Sequence, residues 1–210
     1  NKVWVGLSKE TAHQLGTPIS SLMAWTEVLK ENYPDDELLP EMEKDVKRLE
    51  RIAERFSKIG SVPEPVASSM NEVIRHVVDY MHRRTSQKVQ MTLNMPKEDV
   101  IVKMNASLFE WVVENLCKNA VDAMEGEGSI TLSLWTEDTH AVIEVQDTGK
   151  GIRKKDLNNV FAPGFTTKKR GWGLGLSLAK RIVEEYHHGR VFVKSSELGK
   201  GTVFRIEMPK

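Results

Sequence analysis

The chain has one cysteine, Cys117, in 210 residues. A single cysteine excludes an internal disulfide and, with no second thiol at ligand spacing, a structural zinc site, so the chain reads as a protein of a reducing compartment with Cys117 in its core. Charge of one sign is also missing. Thirty Lys and Arg are balanced by thirty Asp and Glu, which leaves no overall positive field for direct nucleic-acid binding or for membrane contact by this segment. A long apolar run is absent too. The longest stretch without charge, Thr11 to Thr26, contains His13, Gln14, Thr17, Pro18 and two serines, which argues against a membrane span, and the ten residues before it are not expected to act as a signal peptide. There is no internal repeat or low-complexity tract. The first residue is Asn1 rather than methionine, which suggests a fragment of a longer protein.

What is present is an ordinary globular balance, 40% hydrophobic and 29% charged, over a length that suits two unequal domains. Between residues 39 and 59, Leu39, Met42, Val46, Leu49, Ala53 and Phe56 fall on one helical stripe. A less regular stripe runs through Leu7, Leu15, Ile19, Leu22, Trp25 and Leu29, and Tyr33-Pro34-Asp35-Asp36 separates the two. The pair predicts an antiparallel helical hairpin over residues 1–62. Two helices alone bury little, so a homodimer forming a four-helix bundle is expected, with Met42, Val46, Leu49 and Phe56 inside it. Residues 63–69, with Pro63, Pro65 and a serine pair, read as a linker. Residues 70–210 read as a second domain. The expected elements are helices near 71–84, 107–124 and 174–187 and strands near 90–95, 100–104, 129–135, 141–146, 190–195 and 202–208. The fold class is thus α plus α+β: the hairpin followed by a two-layer α/β sandwich.

Several short motifs lie in that second domain. Asn115 and Asn119, four apart on the helix expected at 107–124, project from one face, and amide oxygens are hard ligands suited to Mg²⁺. On spacing alone, helix-surface asparagines are the commoner reading. Asp147-Thr148-Gly149-Lys150-Gly151 ends a strand in a sharp turn, placing a carboxylate able to accept a hydrogen bond from an exocyclic amine, although any Asp-Thr-Gly turn looks like this. Gly171-Trp172-Gly173-Leu174-Gly175-Leu176 opens a helix, where phosphate oxygens can approach backbone N–H groups; a flexible loop has the same composition.

Taken in order, Asn115 to Met124, Asp147 to Ile152, Phe161 to Lys169 and Gly171 to Leu176 resemble the asparagine, first glycine, phenylalanine and second glycine boxes of the sensor histidine kinases of two-component systems. These share an ATPase fold with DNA gyrase and the Hsp90 chaperones, and the resemblance spans essentially the whole chain. It implies that Asn119, with Asn115 nearby, ligates Mg²⁺, that Asp147 reads adenine, and that Gly149, Gly151, Gly171, Gly173, Gly175 and Leu176 line the ATP site. It makes Lys118 a phosphate-contact candidate, a solvated helix lysine being the equal alternative. It makes residues 161–170 an ATP lid, with Lys168 able to meet phosphate and Gly164 where a second bulky aromatic is common. Thr202 resembles the strand threonine close to adenine. No P-loop pattern is present.

Histidine is a plausible phosphoryl acceptor because a neutral ring nitrogen is nucleophilic near pH 7. His13, in Glu10-Thr11-Ala12-His13-Gln14-Leu15-Gly16-Thr17-Pro18, resembles the histidine box of the same kinases, with Thr17 and Pro18 in register. Gln14 departs from it, an acid being commoner there; Glu10, a turn earlier, is placed to restore part of that charge. The resemblance implies autophosphorylation on His13 by Mg²⁺-ATP, then transfer to an aspartate of a response-regulator receiver domain. Thr17 also fits a response-regulator phosphatase activity. The expected setting is cytoplasmic, as part of a longer sensor, membrane-anchored or not. Two other readings compete: a nucleotide-gated interaction module that forms no phosphohistidine, and a serine kinase or chaperone-type ATPase on the same nucleotide fold.

Overall fold

The computed structural model describes residues 2–61, 65–162 and 175–210, and for residues 2–13, 15, 17 and 55–61 the backbone path alone. The chain divides into two compact units, Asn1–Pro63 and Glu64–Lys210.

The first unit is a hairpin of α1 (Lys2–Asn32) and α2 (Leu38–Ser61). The helices are packed against each other. The turn between them is set by the polar break in the sequence: Asp36 N–H donates to Tyr33 O at 3.1 Å, and Asp36 Oδ1 accepts the N–H of Leu38, the first residue of α2, at 2.9 Å. Ile19, Val46 and Ala53 form a small buried cluster, and Lys30 pairs with Glu43 across the hairpin at 3.1 Å. The α2 stripe is split by burial. Leu39, Val46 and Ala53, seven apart, are buried, whereas Met42 and Leu49, the alternate heptad positions, are 42% and 41% exposed. One half of the stripe therefore serves the hairpin and the other half faces outward.

The second unit is a two-layer sandwich. A five-stranded sheet of order β2-β4-β5-β7-β6 is made by β2 (Val89–Asn94), β4 (Gly128–Thr136), β5 (His140–Asp147), β6 (Arg190–Glu197) and β7 (Gly201–Pro209). Its β2–β4 pair is parallel and the remaining pairs are antiparallel. Helices α3 (Met70–Arg84), α4 (Ala106–Ala123) and α5 (Gly175–Arg181) supply the other layer, with α4 in the middle against β4 and β5. Alternation along the strands drives this layering. Ile130, Leu132 and Leu134 on β4, Ala141, Ile143 and Val145 on β5, and Phe204, Ile206 and Met208 on β7 are all buried and lie in register. On the opposite face Glu144 pairs with Lys194 at 3.0 Å, and Arg205 with Glu137 and Glu207 at 3.1 Å each.

Two expectations need correction. The linker at 63–69 is shorter, because Val66–Ser69 form a strand, β1, paired antiparallel with β3 (Ile101–Met104). Ser69 also caps α3, its hydroxyl accepting the Glu72 N–H at 3.3 Å. The helix expected at 174–187 changes pitch: after α5 the chain continues as a π turn over Ile182–Tyr186. His187 follows that turn, 6% exposed. Its Nδ1–H donates to Ile182 O at 2.8 Å and its Nε2 accepts the Asn105 N–H at 3.1 Å, which ties the turn to the start of α4. Burial holds its pKa below the ordinary imidazole value.

Candidate functional site

The alternation that fills the core also builds one end of the site. Positions 141, 143 and 145 of β5 face the helices, so Asp147 faces them as well; positions 208, 206 and 204 of β7 bring Thr202 to the same end. Asp147 is 3% and Thr202 4% exposed. Asp147 Oδ1 accepts the N–H of Gly149 at 2.8 Å and that of Thr202 at 3.3 Å. Burial pushes the Asp147 pKa above the usual carboxylate value, opposed by these two backbone donors. The carboxylate is thus aimed by main-chain donors rather than by a cation. Thr202 Oγ1 shares a 2.8 Å hydrogen bond with Ser196 Oγ, which accepts the Ile152 N–H at 2.8 Å.

The turn after Asp147 needs its glycines. A Cβ on Gly149 would lie 2.7 Å from the carbonyl carbon and oxygen of Ala123, so this residue lets the loop touch the end of α4, where Lys150 N–H donates to Ala123 O at 2.9 Å. Gly151 has φ +78, and a Cβ there would collide with the Glu197 carbonyl; both steric facts favour glycine.

On α4 the predicted residues separate. Asn115 turns toward α5: a Cβ on Gly175 would sit 3.6 Å from its Oδ1. Its Nδ2 is buried and has no hydrogen-bond partner among the described residues. Lys118 instead donates to Glu114 Oε1 at 2.7 Å and lies 5.9 Å from the centroid of the Tyr80 ring on α3. Asn119 is half-buried on α4, and Leu176 half-buried on α5. Phe161 is fixed edge-on to Phe204, centroids 6.0 Å apart. Lys168, Gly171 and Gly173, with Gly164, lie outside the described residues. Glu10, His13 and Thr17 fall within α1, but their side chains are not described; the Gln14 side chain is exposed. Sequence reasoning missed Glu114 and Ser196. The first had a signal, the acid-to-lysine spacing of four on one helix; the second had none.

The family described as histidine kinase-, DNA gyrase B-, and HSP90-like ATPase matches residues 104–210. The chain belongs to this family. Relatives that match nearly its whole length include sporulation kinases and sensor histidine kinases. It is 29% identical to sporulation kinase D of Bacillus subtilis (strain 168) over 97% of this chain and 41% of that protein. It is 31% identical to the sensor histidine kinase ZraS of Salmonella typhi over 97% of this chain and 45% of that protein. Less than half of each relative is therefore spanned. The catalytic domain of histidine kinase ThkA matches 70% of this chain and 97% of its own length, at 29% identity and TM-score 0.64. ThkA solved in complex with the response regulator protein TrrA shares the fold over 98% of this chain and 61% of that one, at 23% identity and TM-score 0.64.

This places the chain in the histidine kinase branch of the family and makes the second unit its ATP-binding domain. The residues present fit both ATP and its metal. The Asn115 amide, without a hydrogen-bond partner among the described residues, offers a buried donor beside the start of α5, and the Asn115 and Asn119 amides are neutral oxygen ligands of the kind Mg²⁺ accepts alongside water and phosphate. No helix among the described residues is long and apolar enough to cross a membrane.

Proposed function

We propose that the chain autophosphorylates on His13 with ATP and passes the phosphoryl group to an aspartate of a response-regulator receiver domain. The observation that carries the nucleotide half is the buried Asp147 carboxylate, set by the Gly149 and Thr202 amides at the end of the sheet. A carboxylate oriented by main-chain donors can accept a hydrogen bond from the amine of adenine and cannot do so from the carbonyl of guanine. Asn115 and Asn119 would hold Mg²⁺, which supplies charge neutralisation on the phosphates. Lys118, Lys168 and the glycines 171, 173 and 175 would meet the phosphates themselves. Phosphoryl transfer rests on positioning and charge, so this division of labour is sufficient.

The nucleophile comes from the hairpin. A neutral ring nitrogen of His13 forms the N–P bond as the bond between the γ-phosphorus and its bridging oxygen breaks and ADP leaves. Gln14 can hold the other ring N–H in place of an acid, and Glu10 adds negative charge a turn away, so we read the chain as a slow but real kinase. The outward-facing half of the α2 stripe, Met42 and Leu49, with Leu22 on α1 at 42% exposure, supports a homodimer that closes a four-helix bundle. A response-regulator phosphatase activity involving Thr17 is the second reading. The direct test is radiolabel from the γ-position of ATP. Acid-labile, alkali-stable label on the wild type and none on His13→Gln is the expected result; label that persists in His13→Gln sinks the assignment.

A further inference from the structure

The orientation of Lys118 carries a consequence for nucleotide binding. Asn115 faces the start of α5, whereas Lys118, three residues on, faces α3. Lys118 Nζ is 2.7 Å from Glu114 Oε1; the Glu114 side chain is 8% exposed and that of Lys118 is 40% exposed. Beyond it, Tyr80 offers its ring face to both Lys118 and Arg84, the latter at 4.5 Å. An ammonium in this setting already has a carboxylate and an aromatic ring, so it reaches a phosphate only by giving up part of that pairing.

We propose that Glu114 is a positioning residue that latches Lys118: the lysine exchanges between the Glu114 carboxylate and the nucleotide's phosphates. This rests on the ATP site proposed above. The exchange has a direction set by charge. The nearly buried Glu114 carboxylate competes for the Lys118 ammonium at 2.7 Å, so a phosphate draws Lys118 away only when its own negative charge is larger. The triphosphate of ATP meets that condition, and a nucleoside without phosphates leaves the latch closed. Part of the attraction between Lys118 and the phosphates is therefore spent on opening the pair, and Glu114 sets how much tighter ATP binds than adenosine. Tyr80 supports the closed position through its ring face.

The test uses the whole 210-residue chain with ATP and adenosine as probes at fixed Mg²⁺. Glu114→Gln keeps the shape and removes the competing charge; ATP should bind roughly three- to tenfold tighter, the size expected for releasing a half-exposed ion pair, with adenosine unchanged. In a Lys118→Met background the gain should vanish, because the exchanged cation is gone. If Glu114→Gln does not fold, Glu114→Asp draws the carboxylate back from Nζ and should shift ATP in the same direction. Unchanged or weaker ATP binding, an equal shift with adenosine, or a gain that survives Lys118→Met overturns the latch. A wild-type chain that binds neither probe overturns the ATP site and the latch with it.

Discussion

The two units bury their apolar residues to different degrees. In the hairpin the buried cluster is Ile19, Val46 and Ala53 at 6%, 8% and 9% exposure, while Trp25 stays 66% exposed and Met23 41%. In the sandwich Phe109, Leu132, Ile143 and Ile206 are all at 0%. Both carry helices of the same kind, so the difference lies in what covers the apolar stripe. A sheet gives α4 a complete partner surface, whereas a second helix covers only half of the α2 stripe. A unit closed on itself should hold its stability at any concentration; one that leaves a heptad line open should depend on whatever covers that line.

Mutations sharpen this contrast, and the largest effect belongs to the closed core. Phe109→Ala should cost about 3–5 kcal/mol of sandwich stability, independent of protein concentration in denaturant titrations. Leu49→Ala should cost about 2–5 kcal/mol only where a dimer buries that side chain. Its penalty should grow with protein concentration as the dimer forms, and sedimentation of the wild type as a monomer at micromolar concentration would break the comparison.

A smaller effect is expected at the seam between α4 and the π turn. His187→Phe takes the acceptor from the Asn105 N–H, at about 1–3 kcal/mol, and the side-chain donor from the Ile182 carbonyl, which keeps the backbone N–H of residue 187 at 3.2 Å. Because burial depresses the folded pKa of His187, its contribution is intact above the unfolded value of about 6.5 and is lost as pH falls below it toward the folded value. Thermal melts of the wild type should show that acid-side loss, and His187→Phe should remove it.

Asp147 runs the other way. Its folded pKa is raised, so the empty fold binds this proton more tightly than the unfolded chain does and gains stability from it as pH falls through the raised value. Binding of adenine to the ionised carboxylate should weaken over that same interval, at a higher pH than the ordinary value of about 3.9. Adenosine titrations across pH should show the loss in wild type, and Asp147→Asn should flatten it and erase the preference for adenine over guanine. The smallest expected change is Gln14→Glu, a few-fold faster phosphohistidine formation with ATP affinity unaltered; if the rate does not move, the amide already does what an acid would do.

Much of the sandwich is legible in the sequence because its signals are local. The strand at 141–146 and the helix at 107–124 match β5 and α4 to within one or two residues, since alternation and helical periodicity are properties of consecutive residues. β1 was not legible: Val66-Ala67-Ser68-Ser69 has a linker's composition, and only its ladder to β3 makes it a strand. The π turn was hidden for a related reason, its i→i+5 bonding leaving no mark in apolar spacing. In the site, Asp147, Gly149 and Thr202 could be named from motifs and the structure brings them together. The Glu114–Lys118 pairing had its signal in a spacing of four, but the Tyr80 ring beside Lys118 could not be read, because it lies 38 positions earlier in the sequence and on a different helix.

The single cysteine gives this chain a built-in clock. Cys117 is wholly buried on α4, between Asn115 and Asn119, and burial, with the Glu114 charge as a second cause, pushes its thiol up to about 12. Only a thiolate reacts with alkylating reagents, so modification must wait for α4 to open and expose the sulfur to water. The labelling rate of the unaltered protein therefore counts the openings of the helix that carries both asparagines, with no engineered probe. A nucleotide that fastens on those asparagines should slow that clock in proportion to how firmly it holds the helix shut.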